Sequence, residues 1–412
     1  MTTRVVRRRV GLQRQSSRRS DGVNGKDIFF INRIKELEQQ RLIPIIGDTI
    51  RNAHIFQKSG QPSADKEDPG TNYSGPRPNI TEEIAQGWAR GGTFKEGVDD
   101  PIVYPLTDDI QIARVAQFYA LVHGDPVLAK QDYLEFLKDY LLTVAESLTD
   151  ETDAAELAFI NELREEVNYT FSDVVNELDF PRCFHDQRED PLRILARLPI
   201  KIYITTSYHD FVEKELQAAG KNPQSRLCYW NGKPDNLQPE HTPDPQYWPS
   251  VNTPLVYHLL GMEQYPPSMV LSEDDYLEFL WELASDRESL REGSMTISSK
   301  TRPDSIIPEY LRNAINDSSL LVLGYRLQDW DLKAVLHGLL KADELTYRKG
   351  VSTAIHIDLE NQQIVKDKEQ AETYLRSYFK RARFEVRFEE SDAFLHSLWQ
   401  QYQKIVIGVK SA

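Results

Sequence analysis

Short apolar runs that end on glycine or on hydroxyl-bearing residues, each followed by helical periodicity, recur along this chain and limit its fold more than any other feature. The first is Arg41-Leu-Ile-Pro-Ile-Ile-Gly47, and others lie at 200–204, 255–259, 268–271, 319–323, 353–357 and 384–388. Runs of four or five apolar residues read as strands buried on both faces. Helical stretches at 211–219, 274–284, 330–340 and 370–382 separate several of them. Strands that alternate with helices need crossover connections, so the pattern predicts an α/β fold with a doubly wound, mainly parallel, Rossmann-like sheet. Ligands of such sheets bind beyond the carboxyl ends of the strands. The loops after each strand are therefore where chemistry is expected.

Between the first two strands the period is helical. Ile112, Val115, Phe118, Tyr119 and Val122 follow Thr107 and Asp108, which can cap a helix. Tyr133, Phe136, Leu137 and Tyr140 mark a second helix, and Leu157, Ile160 and Leu163 a third. No strand pattern intervenes, so residues 107–198 read as a helical module inserted into a sheet domain made of 27–106 and 199–405. Residues 27–40 read as an amphipathic helix and 57–80, rich in Gly, Pro, Ser and Asp, as a loop.

Composition removes several function classes. No apolar run approaches the roughly 20 residues that span a bilayer, and no apolar signal-peptide core is present. The two cysteines, Cys183 and Cys228, are too few for a disulfide framework or a four-thiolate zinc site, so a reducing cytoplasm fits and no metal is expected. Residues 1–26 hold eight Lys or Arg against the single acid Asp21, within a chain of net charge -15. The remainder is thus strongly acidic and ill suited to phosphate backbones, so nucleic acid is expected only at the basic tail, which reads as disordered. No P-loop is present, so an ATP-driven step would belong to a partner.

The strand-end loops carry the candidate site. Gly47-Asp48-Thr49 closes the first strand; glycine lets a backbone approach a diphosphate, and it equally serves a plain strand-to-helix turn. Thr205-Thr206-Ser207-Tyr208-His209-Asp210 closes the second, where hydroxyls suit ribose, phosphate or water, or cap the next helix. His258 lies in an apolar strand with Gly261 after it, as a base or as a core histidine with internal partners. Ser272 and Asp275 have capping-box spacing. Gly324-Tyr325 follows the 319–323 strand, where glycine could admit an adenosine half, and Asp329 is placed to cap the helix beyond.

The order of these features resembles the sirtuin-like (silent-information-regulator type) domains of bacterial antiphage effectors, over residues 41–340. The best-matching stretches are 203–216 and 318–336. The resemblance implies an NAD-binding fold with a helical small module and, in active members, hydrolysis of NAD to nicotinamide and ADP-ribose. It also implies self-association. On it His258 takes the place of the catalytic histidine and Ser207 that of the asparagine that orients ribose and water. Thr205 and Thr206 match pocket hydroxyls, Gly47, Asp48 and Thr49 the nucleotide loop, Gly261 the glycine after the histidine, and Gly324 with Tyr325 the adenosine-side turn. Three positions depart from the pattern. The family's Gly-Ala-Gly-x-Ser start is reduced to Gly47-Asp48-Thr49, where Asp48 sets a carboxylate near the phosphates unless Arg51 balances it. Ser207 replaces the asparagine, and His209 stands where an aspartate follows the tyrosine, with Asp210 one step later. The zinc-binding cysteines of protein-deacetylating sirtuins are missing.

Two functions follow as expectations. One is a conditionally activated NAD hydrolase of antiviral defence, with His258 as base and Ser207 positioning water. The other is a catalytically degenerate NAD- or nucleotide-binding sensor, or an oligomerising scaffold, working with a partner such as an ATPase or nuclease.

Overall fold

Strand β1 (Leu42–Ile46) is buried at all five positions and has partners on both sides, as its unbroken apolar run predicts. The computed structural model describes residues 25–47, 80–91, 102–149, 152–166, 168–178, 190–231, 247–291, 306–327, 329–340, 353–357, 359, 365–381 and 384–408. Among them six more strands join β1: β2 (Ile202–Thr205), β3 (Gln224–Leu227), β4 (Leu255–His258), β5 (Ser319–Leu323), β6 (Thr353–His356) and β7 (Phe384–Arg387). All pair in parallel, in the order β3-β4-β2-β1-β5-β6-β7. After β1 the chain places β2 beside it, runs out to edge strand β3, fits β4 between them, then returns to place β5 on the other side of β1. That reversal is the switch point of a doubly wound sheet.

One expected strand is absent, and one strand that forms carried no expectation. The 268–271 run is no strand: Pro266–Ser268 forms a single tight turn, and Val270 N–H then makes one hydrogen bond to the Leu260 carbonyl, 2.9 Å. Conversely β3, with the sequence Gln-Ser-Arg-Leu, lacks the apolar run of a buried strand because it lies at the sheet edge and pairs only with β4.

Helix α1 (Gly25–Glu38) precedes β1. Between β1 and β2 the described residues form helices only: α2 (Ile80–Ala89), α3 (Ile112–His123), α4 (Pro126–Leu148), α5 (Ala154–Glu165), α6 (Phe171–Glu177) and α7 (Pro191–Arg197). Local chemistry sets most of their starts. Asp125 and Asp190 accept from backbone N–H groups ahead of a proline at the first helical position. Asp153 caps α5, and Thr170 with Asp173 closes a reciprocal capping box on α6. Helix α3 starts after Gln111 rather than at Thr107 or Asp108.

After β2 come α8 (Phe211–Ala218), α9 (Glu273–Arg291), α10 (Glu309–Asp317), α11 (Trp330–Lys333, widening into a π-helical turn Ala334–Leu339), α12 (Lys368–Arg381) and α13 (Ser391–Tyr402). The capping pair ahead of α9 is present: Ser272 N–H donates to Asp275 Oδ2 at 2.9 Å and Asp275 N–H to Ser272 Oγ at 3.2 Å. One hydrophobic cluster runs through the sheet and its helices, with Phe136 of α4 and Tyr203 of β2 in the same core. The helices of 107–198 reach the sheet domain through polar contacts as well. Lys130 of α4 pairs with Asp275 at 3.0 Å, both buried, and Arg114 of α3 meets Glu273 at 3.1 Å.

Candidate functional site

Register brings the central strand ends level. Ile46 pairs with Thr205 and with Leu323, and Thr205 with His258, so the loops after β1, β2, β4 and β5 leave the sheet side by side. The sequence-predicted residues Gly47, Thr205, Thr206, Ser207, His258, Gly261, Gly324 and Tyr325 all follow these ends or form them. Asp48, Thr49 and Arg51 lie outside the described residues.

His258 ends β4 and is fully buried. Its Nδ1 lies 3.1 Å from the Ser207 carbonyl oxygen and its Nε2 2.8 Å from Glu213 Oε1, in the first turn of α8. A carbonyl only accepts, so Nδ1 carries a hydrogen. Burial disfavours the charge on both partners, yet their attraction and mutual hydrogen bond outweigh it. His258 therefore titrates above its ordinary range and Glu213 below its own. Both shifts favour the ion pair, and with Nδ1 and Nε2 both engaged His258 has no free nitrogen to take a proton. Ser225 of the edge strand β3 donates to the same Glu213 oxygen at 2.6 Å and fixes it further.

The hydroxyls of the second loop also point inward. Thr205 Oγ1 donates to the Ile46 carbonyl at 3.2 Å, and Thr206 Oγ1 to the Tyr325 hydroxyl at 3.1 Å. Ser207 Oγ accepts from His209 N–H at 3.3 Å, a turn-type bond that holds the loop. Gly47 has a packing reason of its own. A Cβ there would sit 2.3 Å from the Gly324 carbonyl oxygen and 2.8 Å from the Tyr325 ring. Gly324 and Gly261 have φ of 74° and 94°, where side chains are strained, and a Cβ on Gly261 would lie 2.4 Å from the Ser268 carbonyl oxygen.

A second polar cluster lies beside the first. His209 Nδ1 is 3.2 Å from Glu263 Oε2, with both side chains buried and the imidazole 4.6 Å from the Phe171 ring centroid. Ser172 of α6 donates to Glu263 and accepts from Asp210 N–H. Burial, reinforced by the neighbouring Glu213 and Glu263 carboxylates, raises the Asp210 carboxyl to about 6 against the pull of Lys214. The place where the sequence pattern lacks its aspartate is thus a joint between the α6 segment and the sheet domain.

These residues fit an NAD diphosphate poorly by themselves. Backbone N–H groups of Gly47, Thr206, Ser207, His209, Asp210 and Gly324 are each bonded within the protein, to Leu323 O, Ile46 O, Thr205 Oγ1, Ser207 Oγ, Ser172 Oγ and Ser391 Oγ. Among the described residues of these turns, the amide donors of the kind that P-loop and Rossmann turns aim at phosphate are already used. Sequence reasoning missed Glu213 as the partner of His258. The available signal was the rule that a buried histidine needs one, with a glutamate in the first turn of the helix after β2.

Residues 201–382 match the family model described as SIR2-like domain. A curated relative, the NAD(+) hydrolase ThsA of Enterococcus faecium, is 28% identical over 144 residues, covering 35% of this chain. That match spans 23% of ThsA, so the chain covers under a quarter of this relative's length. The reversing seven-stranded parallel sheet agrees with that match, and residues 201–382 are similar to a SIR2-like domain.

Proposed function

We propose that the chain acts as a sirtuin-like NAD or nucleotide sensor, or as a scaffold, in which cleavage of the nicotinamide–ribose bond is silent. The carrying observation is the commitment of both His258 nitrogens, to Ser207 O and Glu213 Oε1. Cleavage of that bond needs a group that takes a proton from water or a ribose hydroxyl as oxocarbenium character develops. A histidine whose two nitrogens are both held in a buried pair has none free to do so. Ser207, whose oxygen receives the His209 N–H, then serves the loop, and Gly47, Gly324 and Tyr325 serve the contact between the β1 and β5 ends. Any phosphate contact would fall to Asp48, Thr49 and the residues after them. As a scaffold the chain self-associates and works beside an effector that supplies the chemistry, such as an ATPase or nuclease.

A second reading has its own support in the likeness to a relative named as an NAD(+) hydrolase. In it a signal, such as one of antiviral defence, separates Glu213 from His258 and frees Nε2 as the base. A time course of nicotinamide release from NAD, with calorimetric NAD binding alongside, divides the two. Binding without release, unchanged by added nucleic acid, nucleotides or crowding agents, supports the silent module. Release that disappears in His258→Ala establishes the hydrolase. Light scattering tests self-association, and a strict monomer at micromolar concentration counts against it.

A further inference from the structure

The opposite end of the sheet offers unpaired chemistry of its own. A cavity of about 420 Å³ opens at the amino ends of β1 and β2, walled by α10, a size within the roughly 300–1,000 Å³ of small-ligand sites. Its floor is apolar, from Leu42, Ile43 and Ile202. Two aromatic side chains line it: Tyr310 on α10, half-buried, and Trp248 before β4. Trp248 is 74% exposed, although the segment beneath it is fixed by bonds between Ser250 and Thr253, their hydroxyls 2.7 Å apart. An indole held in water by an ordered turn gives up apolar burial that it would regain against a flat ligand.

Three charges on the two sides of the cavity, Lys201, Glu309 and Asp317, have no ion pair among the described residues. Lys201, half-buried just before β2, has no hydrogen bond or ion pair for its ammonium among the described residues, while Arg41 on the neighbouring turn donates to Gln39 Oε1 and lies near Glu36. Glu309 and Asp317 on α10 have no ion pair among the described residues either. Gln40, which leads into Arg41, is the one non-glycine among the described residues with positive φ, at 53°. That left-handed residue closes helix α1, with Gln40 N–H bonded to Leu37 O at 2.9 Å and Arg41 N–H to Glu36 O at 2.8 Å, and it turns Arg41 onto the cavity rim.

We propose that this cavity binds a nucleotide, with its base on Trp248 and Tyr310, its ribose hydroxyls toward Glu309 and Asp317, and its phosphate on Lys201 and Arg41. Stacking suits any base face and supplies affinity without base reading. Lysine and arginine supply the point charge and the fork that phosphate oxygens accept from. Carboxylates opposite them disfavour a bare anion and favour a ligand that also brings hydroxyl donors. The site does not rest on the reading of the strand-end loops, and its nucleotide need not be NAD.

The test titrates AMP, ATP and inorganic phosphate separately into the full chain by calorimetry, then repeats the titrations with Lys201→Glu and Trp248→Ala. Both side chains are outside the core, and a thermal melt verifies that each variant is folded. Expected are saturable binding of AMP or ATP, a loss of at least roughly 10-fold in each variant, and phosphate alone weaker by a similar factor. No saturable binding of either nucleotide up to millimolar concentration overturns the site. So does nucleotide binding that neither variant weakens, and inorganic phosphate binding as tightly as the nucleotides overturns the ligand class.

Discussion

His258 and Glu213 are two charges withdrawn from water that neutralise each other, so removing one leaves the other buried and alone. Losses of that kind run to about 3–5 kcal/mol. Glu213→Gln should therefore lower thermal stability by this order, and the pH dependence of the loss identifies its origin. His258 titrates above its ordinary 6.5, so its contribution is complete below that pH and fades as pH rises through the raised value. Glu213 titrates below its ordinary 4.5, so its contribution is present above that pH and fades as pH falls through the lowered value. Melting temperatures of the chain and of Glu213→Gln should differ most between these limits and converge outside them. A difference that is flat with pH would sink the ion-pair assignment. Asp210 works in the opposite sense. Its carboxyl is raised from 3.8 to about 6, so ionising it costs the folded state, and stability falls as pH rises across that interval. The shift alone is worth about 3 kcal/mol. With partial exposure, and with loss of the weak Lys214 pair at 3.8 Å, Asp210→Asn should add about 1–2 kcal/mol at pH 7. In denaturant melts the gain should vanish near pH 4.

At the scale of elements, the turn after β1 shows how one residue can satisfy two explanations. A glycine at the end of the first strand suits a diphosphate, and in this fold it also suits the neighbouring strand end. Because a Cβ on Gly47 would overlap a backbone carbonyl, which cannot rotate away, Gly47→Ala should cost about 1–3 kcal/mol or more without any nucleotide present. Chemical denaturation of the apo chain measures this, and an unchanged midpoint would return the glycine to a ligand role. The same contrast explains what the sequence made legible. Central strands such as β1 and β5 are apolar at nearly every position, Ser319 excepted, because they are buried and paired on both sides, so their runs were readable. Edge strand β3 contributes Ser225 to Glu213 through a polar sequence with no periodic signal. The 268–271 run looked like a strand because Met269, Val270 and Leu271 are buried, yet burial there comes without a ladder. Around His258 the residues were legible and the partners were not. Glu213 and Glu263 lie 45 and 54 residues away from the histidines they meet, at separations only the crossover connections bring together.

Across the whole molecule the question is whether the helices of 107–198 fold apart from the sheet. Chain length alone suggests more than one domain, and an insertion between two strands is a natural place for a second. The contacts argue for a single cooperative unit. The hydrophobic cluster passes from α4 into the sheet without a break, and Phe136 packs 3.0 Å from where a side chain on Gly87 of α2 would begin. Two buried polar joints, Lys130 with Asp275 and Ser172 with Glu263, lose their compensation if either side opens alone. Opening the helices by themselves would thus expose apolar surface and strand buried charges together, which raises the cost of any partly folded state. Calorimetry should show one transition whose calorimetric and van't Hoff enthalpies agree. Phe136→Ala, which removes a fully buried ring from α4, should lower that transition as a whole by the equivalent of about 3–5 kcal/mol. Helical circular dichroism and the fluorescence of tryptophans outside 107–198 should then shift by the same number of degrees. If the variant instead splits the melt, with circular dichroism falling before fluorescence moves, the helices form an independent unit and the joints at Asp275 and Glu263 are only docking contacts.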